Sequence, residues 1–455
     1  MNTGVAPAGA TVGRMEVKEV CASYMVEAGL RVAKGYKQTQ VGVIPEDWDY
    51  QTFGHIYAEP SRNGIYKTPA FHGRGIRIVN MGEMFGFEFI SDQHMSRVAL
   101  TARELSTNGL HDGDLLFGRR SVVPSGAGKC SLVMSPAEPI TFESSIIRVR
   151  LDRTEAVPRF YYYFFASPTG RATVATIVSG TNVKGIRATE LRELKVPLPS
   201  KAEQAAIAEA LSDADALIES LEQLLAKKRQ IKQGAMQELL TGKKRLPGFS
   251  GEWEERTLFE LAGGRKELFD DGDWIESEHI TDDGIRLIQT GNIGVGSFVE
   301  KGERKYIFES SFASLRCKEI RQGDLLICRL ADPAGRACVL PDIGEAKIVT
   351  SVDVTIFRPP KSAADRVFLA NLFSTERWFS AVSDRSGGTT HKRIARGALG
   401  RITINIPSIE EQTAIATVLS DMDTELAALE AKLAKVRNLK QGMMQELLTG
   451  RIRLI

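Results

Sequence analysis

Two stretches of the chain carry apolar residues at alternating steps of three and four. In the later one, Ile415, Leu419, Met422, Leu426, Leu429, Leu433, Val436, Met443 and Leu447 keep this spacing, with Lys440 filling the one gap. In the earlier one, Ile207, Leu211, Ala214, Ile218, Leu221, Leu225, Ala235 and Leu239 do the same. This is the spacing of a coiled-coil seam. Each stretch opens just after a proline and stops at Gly242 or Gly450, which are natural start and stop signals. About 40 residues rising ~1.5 Å each predict rods of roughly 60 Å.

The two stretches are copies. Pro199 to Leu246 returns at Pro407 to Leu454 with a constant offset of 208 and no gap, and 29 of the 48 positions are identical. A repeat of this length implies a molecule of two pseudo-equivalent halves. Charge selects how the helices pair. The first half of each is acidic (Glu209, Asp213, Asp215, Glu219, Glu222; Asp421, Asp423, Glu425, Glu430), and the second half is basic (Lys227, Lys228, Arg229, Lys232; Lys432, Lys435, Arg437, Lys440). Antiparallel packing sets acid against base along the whole length and agrees with the helix dipoles. Each exposed pair contributes only ~0.5 kcal/mol, but all favour one orientation. Lys232 and Lys440 hold equivalent seam positions, where polar residues fix register.

The segments before each helix are related more weakly. Gly75-Ile-Arg-Ile-Val-Asn80 matches Gly284-Ile-Arg-Leu-Ile-Gln289, and Gly113-Asp-Leu-Leu-Phe-Gly-Arg119 matches Gly323-Asp-Leu-Leu-Ile-Cys-Arg329. Ser179-Gly-Thr-Asn-Val-Lys184 matches Gly387-Gly-Thr-Thr-His-Lys392, and both halves open on an acid–tryptophan step, Glu46-Asp-Trp48 and Gly251-Glu-Trp253. The apolar runs Ile146–Leu151 and Val352–Phe357 predict strands. A helix is expected near Arg159–Ala166 and again near Arg366–Phe373. The fold class expected is therefore α/β (α+β): two pseudo-symmetric heads carried by an antiparallel helix pair. The divisions are 1–38 (N-terminal segment, with a possible helix from Met15 to Ala33), 39–200 (first head), 201–245 (central helix), 246–408 (second head) and 409–455 (C-terminal helix).

Composition narrows the class. A net charge of +2 over 455 residues gives no global basic footprint, so nucleic-acid contact would rest on local patches or on charge supplied by partners. Cys21, Cys130, Cys317, Cys328 and Cys338 are odd in number and form no C-x-x-C pair. This disfavours a disulfide framework or a thiolate zinc site and fits a reducing cytoplasm. No apolar run approaches about 18 residues, so no membrane span is expected.

A search for catalysis finds only partial motifs. Phe71-His-Gly-Arg-Gly75 has the glycine spacing of a methyltransferase cofactor loop, but no Asp/Asn-Pro-Pro-aromatic partner exists in the chain. Gly73 and Gly75 read as a loop before a strand. Pro341-Asp342 with Glu345-Ala-Lys347 is too tightly spaced for a metal-dependent nuclease. Gly126-Ala-Gly-Lys129 ends in Cys130 where a phosphate loop needs Ser or Thr. The chain reads as non-catalytic, with no metal and no cofactor of its own.

Two glycine-rich loops ending in basic residues remain, at matching places in the two halves: Thr181, Asn182, Lys184 and Arg187 in one; Thr389, Thr390, His391, Lys392 and Arg393 in the other. Glycine lets backbone approach a phosphate, Lys and Arg neutralise it, and Asn or Thr can read base edges. Arg119, Arg120 and Arg329 follow predicted strands, where phosphate contact and a surface ion pair are equally compatible with the sequence. These residues are the candidate DNA contacts.

Three motifs then carry a resemblance. They are Tyr36-Lys-Gln-Thr-Gln-Val-Gly-Val-Ile-Pro-Glu-Asp-Trp48, the segment Pro-Ser-x-x-Glu-Gln-x-x-Ile-Ala-x-x-Leu-Ser-Asp-x-Asp at Pro199 and Pro407, and Met-Gln-Glu-Leu-Leu-Thr-Gly at Met236 and Met444. With these the chain resembles the specificity subunits of type I restriction–modification systems from about residue 36 onward. The resemblance implies two target-recognition domains that each grip half of a split double-stranded DNA site. It implies helices that act as a ruler and dock two methyltransferase subunits, which bind S-adenosylmethionine and methylate adenine N6. It also implies motor–nuclease subunits that use ATP and Mg. The rival readings are a coiled-coil scaffold that binds only proteins and a self-contained restriction–modification enzyme.

Overall fold

The computed structural model of the chain describes residues 32–330, 333–388 and 392–454. Cys21 and most of the helix expected from Met15 to Ala33 lie outside them. The chain forms two compact units. One takes in residues up to Glu219 together with Ala434–Ile455, and the other is Ser220–Leu433.

Unit 1 is built on a sheet in the order Arg62–Asn63, Ile146–Val149, Leu115–Gly118, Cys130–Val133, Phe89–Ile90. Its last pair is parallel and the rest antiparallel. A second sheet sets Ile140–Phe142 parallel to His72–Val79, which pairs antiparallel with Arg97–Val98. The central strands Leu115–Gly118 and Ile146–Val149 are buried at every position, so they lack the alternation of a half-exposed strand, and Arg148 is their one charged residue. Helix Pro158–Ala166 carries Phe160 to Phe165, six successive aromatics, all buried. A helix apolar on every side belongs inside a core. Phe53, Phe117 and Phe165 meet edge to face. The three tyrosine hydroxyls of this helix find acceptors, as burial favours: Tyr161 donates to Pro197 O at 3.1 Å, Tyr162 to Glu88 at 2.9 Å and Tyr163 to Asp215 at 2.6 Å.

Unit 2 repeats the plan in different residues. An antiparallel sheet runs Phe269–Asp271, Val354–Phe357, Leu325–Cys328, Ala337–Val339, and the second sheet again holds a parallel pair, Ile285–Ile288 with Ile348–Thr350. The register matches. Ile146 pairs with Gly118 and Val149 with Leu115 in unit 1; Val354 pairs with Cys328 and Phe357 with Leu325 in unit 2.

The heptad stretches are helices Lys201–Leu239 and Ile409–Leu447, 39 residues each. Both units contain parts of each, and within a unit the pairing is antiparallel. As numbering rises on one helix it falls on the other: Lys228 meets Glu425 at 2.6 Å, Lys232 meets Asp423, and Arg245 beyond the helix end meets Glu411. The equivalent Lys440–Asp215 contact lies in unit 1. Of the expected seam residues, Ile207, Leu211, Leu221, Leu225, Leu239, Ile415, Leu419, Leu433 and Leu447 are buried, whereas Ile218, Leu426 and Leu429 are half-buried. Where only two helices meet, the flanks of the seam stay open to water.

One loop expectation is corrected. Gly73 and Gly75 do not precede a strand but lie inside His72–Val79, at φ +88 and +91. The strand bulges there between His72 and Ile76, and Arg97 donates to Gly75 O at 2.9 Å. A Cβ at Gly75 would stand 2.5 Å from Val98 O. These glycines serve strand pairing.

Candidate nucleic-acid interface

The residues quoted above as motifs turn out to be staples. Glu203 and Glu411, the acids of the two Glu-Gln steps, are both buried. Arg453 reaches Glu203 at 2.5 and 2.8 Å and Asp47 at 2.8 and 2.9 Å, with Trp48 Nε1 donating to Glu203 at 2.9 Å. In unit 2 Arg245 forks onto Glu411 and lies over Trp253. Hydrogen bonds donated to Glu203 and Asp47 raise the Arg453 pKa, and Arg453 in turn holds Asp47 below the usual carboxylate range. Gln204 and Gln412 each accept the backbone N–H of the residue that caps a head helix, from Val157 at 2.9 Å and from Asp365 at 3.0 Å. The repeated pattern therefore joins chain segments to the helices: the tail and opening segment through Arg453, Asp47 and Trp48, and the second helix through Arg245.

The candidate DNA contacts lie elsewhere in each head. In unit 1, Arg120–Ser121 pairs antiparallel with Lys184–Gly185 to form a short two-stranded ribbon. Reciprocal backbone bonds between Ser179 and Gly185, 2.9 and 2.8 Å, close the loop that carries Thr181 and Asn182. Gly180 sits at φ +109, where a Cβ would meet Val183 O at 2.3 Å, so glycine is required there. Thr181, Asn182, Arg120 and Arg187 are exposed and Lys184 half-exposed. A groove of about 540 Å³ is lined by Asn63, Arg119, Arg120, Lys184 and Arg187. The topology thus brings the unit 1 candidates together and adds Asn63, which no sequence signal marked.

Unit 2 builds the same loop. Gly387 and Arg393 exchange backbone bonds at 2.9 Å, Gly388 takes φ +103, and Leu330 bridges to Arg393. Lys392 and Arg393 are exposed, and Arg393 pairs with Asp353 at 2.8 Å. Thr389, Thr390 and His391 lie outside the described residues.

Arg329 is a correction. It is 3% exposed, donates to Ile394 O and Val352 O, and pairs with Asp271 at 3.2 Å. Burial lowers its pKa. A guanidinium enclosed in this way cannot reach DNA; it pins the ribbon to the sheet. Arg119 in unit 1 is only half-buried: it donates to Ser144 O at 3.2 Å and still lines the groove. Only the residue after it, Arg120, projects outward. The sequence shows Arg after a strand in both halves and cannot distinguish an anchor from a contact.

Gly128 and Gly335 close the ribbon base at φ +67 and +94, under Val174 and Val382. A Gly128→Ala change would bring Cβ within 2.2 Å of Val174. The variant is expected to lose roughly 2–3 kcal/mol, read as a lower urea midpoint; an unchanged midpoint would mean the loop does not depend on this packing.

Residues 81–232 and 251–438 match the family described as type I restriction modification DNA specificity domain. The chain belongs to that family. It is 22% identical over 435 residues to the type I restriction enzyme MjaVIII specificity subunit of Methanocaldococcus jannaschii, covering 90% of this chain and 94% of that one. It is 28% identical over 163 residues to the EcoKI specificity subunit of Escherichia coli, 35% of each chain. The crystal structure of a type I S subunit from M. genitalium superposes with a TM-score of 0.53 at 14% identity, over 92% of this chain and 98% of that one. At that identity the likeness concerns fold.

Proposed function

We propose that this chain is the DNA-reading and assembly subunit of a type I restriction–modification complex, with no catalysis of its own. Each head binds one half of a bipartite double-stranded site through its ribbon and glycine loop. The helix pair sets the spacing between half-sites and docks methyltransferase subunits, which bring S-adenosylmethionine for adenine N6 methylation. Motor–nuclease subunits bring ATP and Mg. The observation that carries this is one loop architecture, built twice on repeated helices from divergent residues. Among the described residues no group of His, Cys, Asp and Glu could hold a metal ion, and no helix is long and apolar enough to cross a membrane. A bacterial or archaeal cytoplasm, where the DNA is, suits such a complex.

The test is co-expression with the neighbouring methyltransferase subunit, followed by single-molecule sequencing of adenine methylation. A split motif with one methylated adenine per half supports the reading. A stable, cofactor-competent complex that leaves DNA unmethylated favours a protein scaffold. Within the complex, Arg120→Ala and Lys392→Ala are each expected to reduce the slope of log K against log salt by about one. Unchanged slopes would remove those side chains from the interface.

A further inference from the structure

The unit 1 ribbon differs from its counterpart in a way that specifies chemistry. From Gly118 to Gly128 the chain takes ten steps, and from Cys328 to Gly335 seven. These end points are equivalent, because Gly128 N bonds Gly118 O and Gly335 N bonds Cys328 O, both at 2.7 Å. The unit 1 loop is thus three residues longer, and the extra length carries Val122 and Val123. These are 77% and 51% exposed, and Val183, 48% exposed, precedes Lys184, whose ladder partner Ser121 precedes Val122. Three uncovered valines on one tip are costly to leave in water unless something covers them.

The tip is held in place. Val123 N donates to Ser121 Oγ at 3.0 Å, and Arg171 donates to Ser125 O at 2.7 Å and Ala127 O at 3.2 Å. Burial lowers the Arg171 pKa. Cations flank the valines: Arg120 has no ion-pair partner among the described residues, Lys184 bonds only Gly180 O, and Arg187 shares Glu190 at 3.5 Å. An apolar, pre-ordered tip framed by positive charge fits an apolar feature set within a polyanion. In the DNA major groove, which admits a two-stranded ribbon, the apolar feature is the thymine C5-methyl group.

We infer that the unit 1 ribbon enters the major groove and packs Val122 and Val183 against a thymine methyl, so its half-site contains an obligatory T·A pair read by that methyl. This rests on the DNA-reading function proposed above. Unit 2 has the shorter loop, and the sequence position matching Val183 is His391, a polar residue, so its half-site is not expected to share the methyl requirement.

The test uses the complex with its methyltransferase subunits. Random-sequence duplexes are selected for binding, and the selected site is then remade with deoxyuridine at each thymine in turn. One position in one half-site is expected to lose roughly fourfold in affinity, the transfer value of a single methyl group. That loss should vanish in the Val122→Ala/Val183→Ala double variant, whose exposed side chains are not needed for folding. A selected bipartite site that is indifferent to deoxyuridine at every thymine, or a double variant that remains sensitive to it, overturns this inference and leaves the DNA-reading function standing. Selection of no sequence at all overturns that function instead. A valine tip acting as a minor-groove wedge would show DNA bending without any deoxyuridine effect, which also refutes the major-groove assignment.

Discussion

Arg453→Ala is expected to lower the stability of unit 1 by about 2–3 kcal/mol. Its partner Glu203 has a side chain only 1% exposed, and removal of the guanidinium leaves that carboxylate with Trp48 Nε1 as its one described side-chain donor. Breaking a fully buried pair costs about 3–5 kcal/mol. The figure here is lower because Arg453 is itself 24% exposed and water can take its place. Hydrogen exchange in the complex reads the effect locally. Amides of Gln204 to Leu211 should lose protection while those of Ile415 to Leu419, stapled by the separate Arg245–Glu411 pair, keep theirs. Pairing Arg453→Met with Glu203→Met should recover most of the loss, because it removes the stranded charge. Equal protection in wild type and single variant would mean that the tail does not secure the head.

The second large effect is expected at Asp114. It lies fully buried and takes two 2.7 Å bonds from Arg150, whose pKa rises in consequence; it also accepts the His111 backbone N–H at 2.8 Å. Glu59 bridges Arg150 to the buried Arg148, at 2.7 and 2.8 Å. Asp114→Ala leaves two arginines facing one carboxylate and a backbone N–H without its acceptor. About 3 kcal/mol should be lost, seen as a lower urea midpoint for unit 1, and Asp114→Asn should lose less because it keeps an acceptor. Asp324 holds the corresponding place, with Arg358 at 2.5 and 2.8 Å, so Asp324→Ala should produce a similar loss confined to unit 2. If Asp114→Ala unfolds at the wild-type midpoint, this ion network is not what holds the sheet.

The helices were legible because their signal is local and periodic: seam spacing and charge polarity are properties of neighbours in sequence. The strands Ile146–Val149 and Val354–Phe357 were legible for the same reason, as short runs of apolar residues. The interface was harder to read. Arg119, Arg120 and Arg329 look alike in sequence, yet only Arg120 is fully exposed, because exposure depends on which strand packs over the residue. Asn63 joined the groove because Arg62–Asn63 lies beside Ile146–Val149 in the sheet, a pairing across some 80 positions that no local pattern encodes.

By itself the sequence determined that the molecule is built twice, that two long helices pair antiparallel, and that divergent heads ride on a repeated scaffold. Those follow from periodicity, identity and charge order, all of which are written along the chain. Only the tertiary structure decided that the Glu-Gln and Trp motifs form staples, that Arg329 is an anchor, and that Val122 and Val183 flank one end of the ribbon exposed to water. Those outcomes depend on which distant segments converge and which side chains they cover. Burial of that kind is a property of the packed fold.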